Sequence, residues 1–305
     1  MSGFTETQVT DQSGKTAFVT GANSGIGFHV ARVLATKHAR VLMGCRSEER
    51  ARQAMRKIKA AYPMADLVYV PLDQASLASV RAAADKVKEE PRLDLLINNA
   101  GIMNTPLSLT EDGFESQFGV NYLAPFALTG LLLDKLEQRH GGRVVTTSSI
   151  AHRRGRINFD DLNAEQRYDS WKRYGQSKLA DLMFALELDR RLAAAGRRTI
   201  SVAAHPGVAD TELTRHMPNF LQKAFGTVVG GVFNSAEQGA WPTLMAATER
   251  HVSGGYYYGP TGPLEMRGKA GKAKPTKRAR DNETARQLWD VSIEMTGVDP
   301  GLAAA

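Results

Sequence analysis

The chain has 305 residues, 42% of them hydrophobic and 23% charged, an ordinary globular usage that excludes a disordered or fibrous chain. Its single cysteine, Cys45, excludes an intramolecular disulfide and a thiolate-rich zinc site. Lys and Arg number 39 against 32 Asp and Glu, and the net charge of +7 favours an anionic ligand without choosing among a phosphorylated cofactor, nucleic acid and an acidic membrane.

Residues 1–15 are polar and include acids, unlike a secretory signal or a transit peptide. A first strand is expected over residues 16–20. It runs into Thr20-Gly21-Ala22-Asn23-Ser24-Gly25-Ile26-Gly27 and then a helix lined by Phe28, Ala31, Val33 and Leu34. A second strand, 40–44, precedes a helix lined by Ala51, Ala54, Met55 and Ile58. A third, 67–72, precedes one lined by Val80, Ala83, Ala84 and Val87. A fourth strand over 93–98 leads to a long helical stretch, 114–137. Its most apolar run, 123–133, is broken by Pro125, Thr129 and Gly130 and falls short of the ~20 residues that span a bilayer, so no integral membrane segment is expected.

A fifth strand over 142–147, a helix over 171–195 with Leu179, Leu182, Met183 and Leu186 at helical spacing, and a sixth strand over 200–205 follow. Helices are expected at 219–233 and 236–248, and a weaker seventh strand at 256–258 within the turn-rich stretch 254–262. Residues 267–280 hold seven basic residues and no acid, which reads as a solvated loop or as a contact for phosphate or a membrane surface. A final helix over 282–295 carries Leu288, Trp289, Val291 and Ile293.

Most strands are continuous apolar runs, as strands covered on both faces are, and they alternate with helices. The expectation is an α/β fold: one doubly wound Rossmann-type domain over residues 1–305, with a mostly parallel, roughly seven-stranded sheet, helices on both faces and a basic C-terminal extension at 265–305. A soluble, cytoplasmic protein is the default expectation.

The glycine loop sits between a strand and a helix. There glycines let the backbone approach a pyrophosphate, and the helix N-terminus offers free N–H groups and a positive dipole end. An acid ~20 residues further on would bind the ribose 2′-hydroxyl of NAD. This chain instead has Gly44-Cys45-Arg46-Ser47 at the end of the second strand. The Arg46 guanidinium suits a 2′-phosphate, so the cofactor expected is NADP(H).

These residues, with Leu72-Asp73, Asn98-Asn99-Ala100-Gly101, Asn121, Ser149, Tyr174-Gly175-Gln176-Ser177-Lys178 and Pro206-Gly207, resemble the short-chain dehydrogenase/reductase family from Gly14 to about Gly262. Gly44-Cys45-Arg46, Ser148-Ser149-Ile150-Ala151-His152, Leu179-Ala180-Asp181-Leu182 and His205-Pro206-Gly207-Val208 are most similar to retinol-dehydrogenase-like and WW-domain-oxidoreductase-like members. There is also similarity to light-dependent protochlorophyllide reductases.

Hydride transfer to a carbonyl carbon needs a proton for the oxygen, and Tyr174 is the candidate donor. A free phenol, with a pKa of ~10, is a poor base near neutrality. Lys178, four residues on, shares its helix face, and an ammonium there favours the phenolate. Ser149 follows the fifth strand, and its hydroxyl can donate to the substrate oxygen as charge grows there; Ser148 is the adjacent alternative. The resemblance implies that Lys178 also binds the nicotinamide ribose and that the Asn121 backbone carbonyl holds a water in a proton relay. It further implies that Asp73 meets the adenine, that Asn99, Ala100 and Gly101 run past the adenosine ribose, and that Pro206, Gly207, Val208 and Thr211 meet the nicotinamide carboxamide and phosphates.

His205, on a buried strand, reads as packed or hydrogen-bonded, and His152 as a residue of the pocket rim; the seven histidines show no metal-ligand spacing, so no metal is expected. Two segments should shape a lipophilic substrate pocket: one with Arg153, Arg154, Arg156, Phe159, Tyr168 and Trp171, the other with Leu213, Met217, Phe220, Leu221, Phe225, Val228 and Val229. The leading expectation is an NADP(H)-dependent oxidoreductase acting on a lipophilic carbonyl or alcohol. Reduction of a carbon–carbon double bond and an NADP(H)-binding regulator without turnover are the alternatives. A nucleic-acid partner is not expected, because the basic run lacks interleaved aromatics. The resemblance also raises a homodimer paired through the helices carrying Asn121 and Tyr174.

Overall fold

Side chains alternate faces along a strand, and here both faces are apolar. In β1 (Thr16–Thr20) Phe18 enters one buried layer while Ala17 and Val19 enter the other. The computed structural model describes residues 3–138, 141–208 and 234–304. The other strands are β2 (Arg40–Cys45), β3 (Leu67–Pro71), β4 (Leu95–Asn98), β5 (Arg143–Thr147), β6 (Ile200–Ala204), β7 (Tyr257–Pro260) and β8 (Ala270–Lys272). They form one sheet in the order β3-β2-β1-β4-β5-β6-β7-β8, parallel except for β8. This is the expected doubly wound, Rossmann-type α/β architecture.

The chain steps outward from β1 to β3, then crosses back to place β4 on the other side of β1. Phe18 therefore pairs with Leu42 on one side and Leu96 on the other. At such a switch the helices leave β1 and β4 toward opposite faces, and a crevice opens beyond the strands' carboxyl ends.

One face is covered by α1 (Gly25–Thr36), α2 (Glu48–Ala61) and α6 (Ala236–Thr248), the other by α3 (Leu77–Lys88), α4 (Ala124–Glu137), α5 (Ser170–Ala194) and α7 (Asn282–Thr296). Several helices start where a side chain accepts the first free N–H groups. Asp169 accepts from Trp171 N and Lys172 N, both at 3.1 Å, to open α5, and Asp281 does the same for Glu283 N and Thr284 N at α7. Among the described residues no helix is long and apolar enough to cross a membrane.

Two expectations are corrected. The stretch 114–137 is not one helix: a single α-turn (Ser116–Phe118) passes into a π-helical turn (Gly119–Leu123) before α4 begins. The sheet has eight strands rather than about seven, because the basic run is not a free loop. Its residues 270–272 pair antiparallel with β7, Ala270 bridges to Phe4, and Lys272 Nζ lies 3.8 Å from the centre of the Tyr256 ring. Lys269 just before this short strand and Lys272 at its end conceal its small residues, Ala270 and Gly271, from a composition-based reading. The helix expected at 219–233 lies outside the described residues.

The basic C-terminal stretch ends in α7, whose Trp289 is 1% exposed. Its ring meets Phe126 of α4 edge-on at 5.2 Å and Phe184 of α5 at 6.0 Å, with the Arg191 guanidinium 4.4 Å above it. Tyr122 adds a 2.6 Å hydrogen bond to Ser292 of α7. Trp289→Ala should therefore cost about 3–5 kcal/mol of folding stability, seen as a lower urea midpoint with an unchanged slope. A loss below about 1 kcal/mol would show that α7 is peripheral to the core.

Candidate active site

At the end of β1 the Thr20 hydroxyl accepts from Asn99 N and Ala100 N, both at 3.0 Å, and Asn99 Nδ2 donates to Thr20 O at 2.9 Å. These bonds join β1 to β4 at the switch point. Gly21, at φ +66°, turns the chain there and donates to Gly44 O at 2.8 Å. A Cβ on Gly27 would lie 2.3 Å from Gly21 O and 2.5 Å from Asn99 Nδ2, so only glycine lets α1 start this close to the seam.

The N-terminus of α1 opens onto a cavity of about 670 Å³. It runs from Gly21, Asn23, Ser24, Gly25, Ile26 and Gly27, past Arg46 and Asp73, then Asn99, Ala100 and Gly101, to Tyr174, Lys178 and Pro206. Most of the expected cofactor-binding residues thus share one cleft, of a size typical for small-molecule and cofactor sites. Unpaired N–H groups at a helix start suit a pyrophosphate, and the close glycine packing leaves the phosphates room to approach.

Arg46 is 77% exposed, with a terminal nitrogen 3.9 Å from Asp73 Oδ2. The other Asp73 oxygen accepts from Ala75 N at 2.9 Å, which fixes the turn after β3. Arg50 also lines the cleft. The sequence reading missed it, although its spacing of four from Arg46, at the start of a helix capped by Ser47, was the available signal.

At the other end Tyr174 and Lys178 stand one turn apart on α5, 6% and 5% exposed. Lys178 Nζ donates to Thr147 O at 3.0 Å and to Asp181 Oδ2 at 2.8 Å. Burial pulls the ammonium down, but the Asp181 carboxylate and the nearby Tyr174 outweigh it and hold Lys178 above the ordinary lysine value. Asp181 is itself pushed up to about 6, because burial outweighs the attraction of Lys178.

The two serines divide their roles. Ser148 donates to Lys178 O at 2.7 Å, tying the end of β5 to α5, so its proton is committed. Ser149 accepts from Ala151 N at 3.2 Å and caps the short turn Ile150–Arg154, which leaves its O–H proton to donate. Ser148 lines the cavity, whereas Ser149 is not among its lining residues.

Asn121 sits in the π-helical turn, a distortion that recurs at functional sites. Its amide donates to Ile102 O and Ser177 Oγ, both at 2.9 Å, and accepts from Ile102 N at 2.7 Å. One side chain thus fixes the loop after β4 against α5. That task was invisible in the sequence, where the π turn reads as ordinary helix.

His205 is fully buried, accepts from Gly207 N at 3.2 Å and approaches Glu265 to 3.4 Å, the packed role expected of it. His152 is corrected: it is not on the rim but 1% exposed, edge-on to Tyr257, with Nδ1 2.7 Å from Ser149 O. Burial pushes it down to about 4, so at neutral pH it is uncharged. Glu265 gathers Arg153 at 2.6 Å and Lys274 N at 3.2 Å, fastening the segment before β8 to the turn behind Ser149.

Gly207, at φ +74°, and Val208, which donates to Met266 O at 2.9 Å, follow Pro206 and are not among the residues lining the cavity. Thr211 and the apolar set Leu213, Met217, Phe220, Leu221, Phe225, Val228 and Val229 lie outside the described residues. In the first substrate segment Tyr168 donates to Thr105 O at 2.6 Å, Phe159 packs on the core, and Trp171 is 51% exposed.

Residues 15–221 match the short chain dehydrogenase family. The chain is 41% identical over 303 residues to retinol dehydrogenase 14 of Homo sapiens, covering 93% of this chain and 87% of that one. An uncharacterized protein from Mycobacterium Paratuberculosis has a solved structure that is similar, at 39% identity and a TM-score of 0.82 over 98% of this chain and 99% of that one. A short chain dehydrogenase from Burkholderia cenocepacia, solved in complex with NADP, is 27% identical with a TM-score of 0.62, covering 77% and 91%.

A histidine held near 4 binds fewer protons folded than unfolded between pH 4 and its ordinary 6.5, so folding stability is lost as the pH falls through that window. Between about pH 7 and about pH 5 the wild type should lose about 2 kcal/mol more than His152→Gln, compared by urea unfolding at each pH. Equal losses in the two proteins would mean that His152 does not stay neutral in the fold.

Proposed function

The chain belongs to the short chain dehydrogenase family and is an oxidoreductase, and we propose that it transfers hydride between NADP(H) and a lipophilic carbonyl or alcohol. The observation that carries this reading is one cleft walled at one end by the glycine loop and two guanidinium groups and at the other by Tyr174 and Lys178. The nicotinamide cofactor, when bound, supplies or accepts the hydride.

The remaining steps belong to residues of the chain. N–H groups from Asn23 to Gly27 hold the pyrophosphate. Arg46, aided by Arg50, binds the 2′-phosphate with charged donors, where an acid would repel it. Asp73 meets the adenine, Asn99, Ala100 and Gly101 pass the adenosine ribose, and Pro206, Gly207, Val208 and Thr211 meet the nicotinamide end. Lys178 donates to the nicotinamide ribose and sets its positive charge near Tyr174. Ser149 donates to the substrate oxygen, and Tyr174 gives that oxygen its proton or takes it back. The Asn121 backbone carbonyl holds the water that relays the proton onward. The name of the retinol dehydrogenase relative supports a lipophilic substrate, and the NADP-bound Burkholderia cenocepacia structure supports the phosphorylated cofactor.

Arg46→Asp should raise the KM for NADPH at least about tenfold more than that for NADH, since it replaces a 2′-phosphate donor by a repelling charge. Equal effects on both would reject the 2′-phosphate contact. Tyr174→Phe should lower kcat for aldehyde reduction about 10²–10⁴-fold while NADPH binding, followed by its fluorescence, persists. Turnover at the wild-type rate in that variant would remove Tyr174 from the chemistry.

A further inference from the structure

Lys178 is held more tightly than a ribose contact requires. Two of its three N–H bonds go to Thr147 O and Asp181 Oδ2, which leaves one for the cleft. The pair is enclosed, the side chains being 6% and 1% exposed. Among the described residues Asp181 Oδ1 is buried with no hydrogen-bond partner. Removing a carboxylate from water costs several kcal/mol, and leaving one oxygen unpaired adds to that cost. The Asp181 position therefore works against folding stability unless the charge serves Lys178. The ammonium has the converse problem: buried alone it would shed its proton, and the carboxylate prevents this.

We propose that Asp181 is a positioning residue: it keeps Lys178 charged and pinned to the β5 side of the cleft, so that a single fixed N–H addresses the cofactor ribose and Tyr174. This rests on the oxidoreductase reading above. Among the described residues the titratable groups that face Asp181 are Lys178, on its own helix, and Tyr122, from the π-helical turn. Burial raises Tyr122 far above its ordinary range, so it stays neutral, and Lys178 is the charge that Asp181 answers. Below about pH 6 the carboxylate gains a proton, and the tether weakens.

The test has two arms. In cofactor-free protein labelled with 13C at the aspartate carboxyl carbon, one signal should titrate near pH 6 and vanish in Asp181→Asn. In Lys178→Met its midpoint should rise by about one unit or more, because the cation that lowers it is gone. With NADPH and octanal or retinal as probes, wild-type kcat should fall below about pH 6. Asp181→Asn should lose about tenfold in kcat at neutral pH and show no such fall, with the KM for NADPH little changed. A midpoint unmoved in Lys178→Met, or an Asp181→Asn enzyme with wild-type kcat and pH profile, would overturn the proposal. The second result stands even if Lys178→Met does not fold. An upward-moving midpoint in a protein that turns over neither probe would support the charge coupling and reject the lipophilic-aldehyde reading of the substrate instead.

Discussion

The architecture depends on how closely one helix can start beside the seam between two strands. Thr20 and Asn99 exchange hydrogen bonds across that seam, and Gly27 packs against the same atoms with no room for a methyl group. Because α1 begins there, its unpaired N–H groups face the crevice rather than solvent at large. The parallel register of β1 with β2 and β4 brings the Arg46 turn and the loop after β4 alongside, so the long cleft follows from strand order.

A second constraint acts at the far end. Asn121, Ser148 and Lys178 each spend a polar group on joining segments: the π-helical turn to the loop after β4, β5 to α5, and α5 back to β5. Buried polar groups that are fully paired specify one arrangement and penalise others. Tyr174 is thus presented by a helix whose rotation and height are fixed from three sides. Asp181, with one oxygen unpaired, is the exception in this network, and exceptions of that kind gather at working sites.

Much of this was legible in the residues. Continuous apolar strands alternating with helices gave the layers, and a glycine loop with Arg46 beside it located the cleft. Three things were hidden, each for a physical reason. The π turn has the composition of a helix and differs only in its hydrogen bonding. The strand 270–272 is a small apolar centre among lysines and is stabilised by partners, Phe4 and Tyr258, that are distant in sequence. His152 reads as a residue of the pocket rim, yet Tyr257 and the Ser149 carbonyl bury it. Local pattern reports periodicity and turns; it does not report which distant element will cover a residue.

The antiparallel strand at the margin of the sheet has a consequence for solubility. A parallel sheet that stopped at β7 would offer a bare row of amide and carbonyl groups to any passing extended chain. The closing strand is three residues long, includes Lys272 and has Phe4 bridged to Ala270 beside it. A border so short and so charged gives a neighbouring molecule little to zip onto, which protects this edge of the sheet from edge-to-edge aggregation.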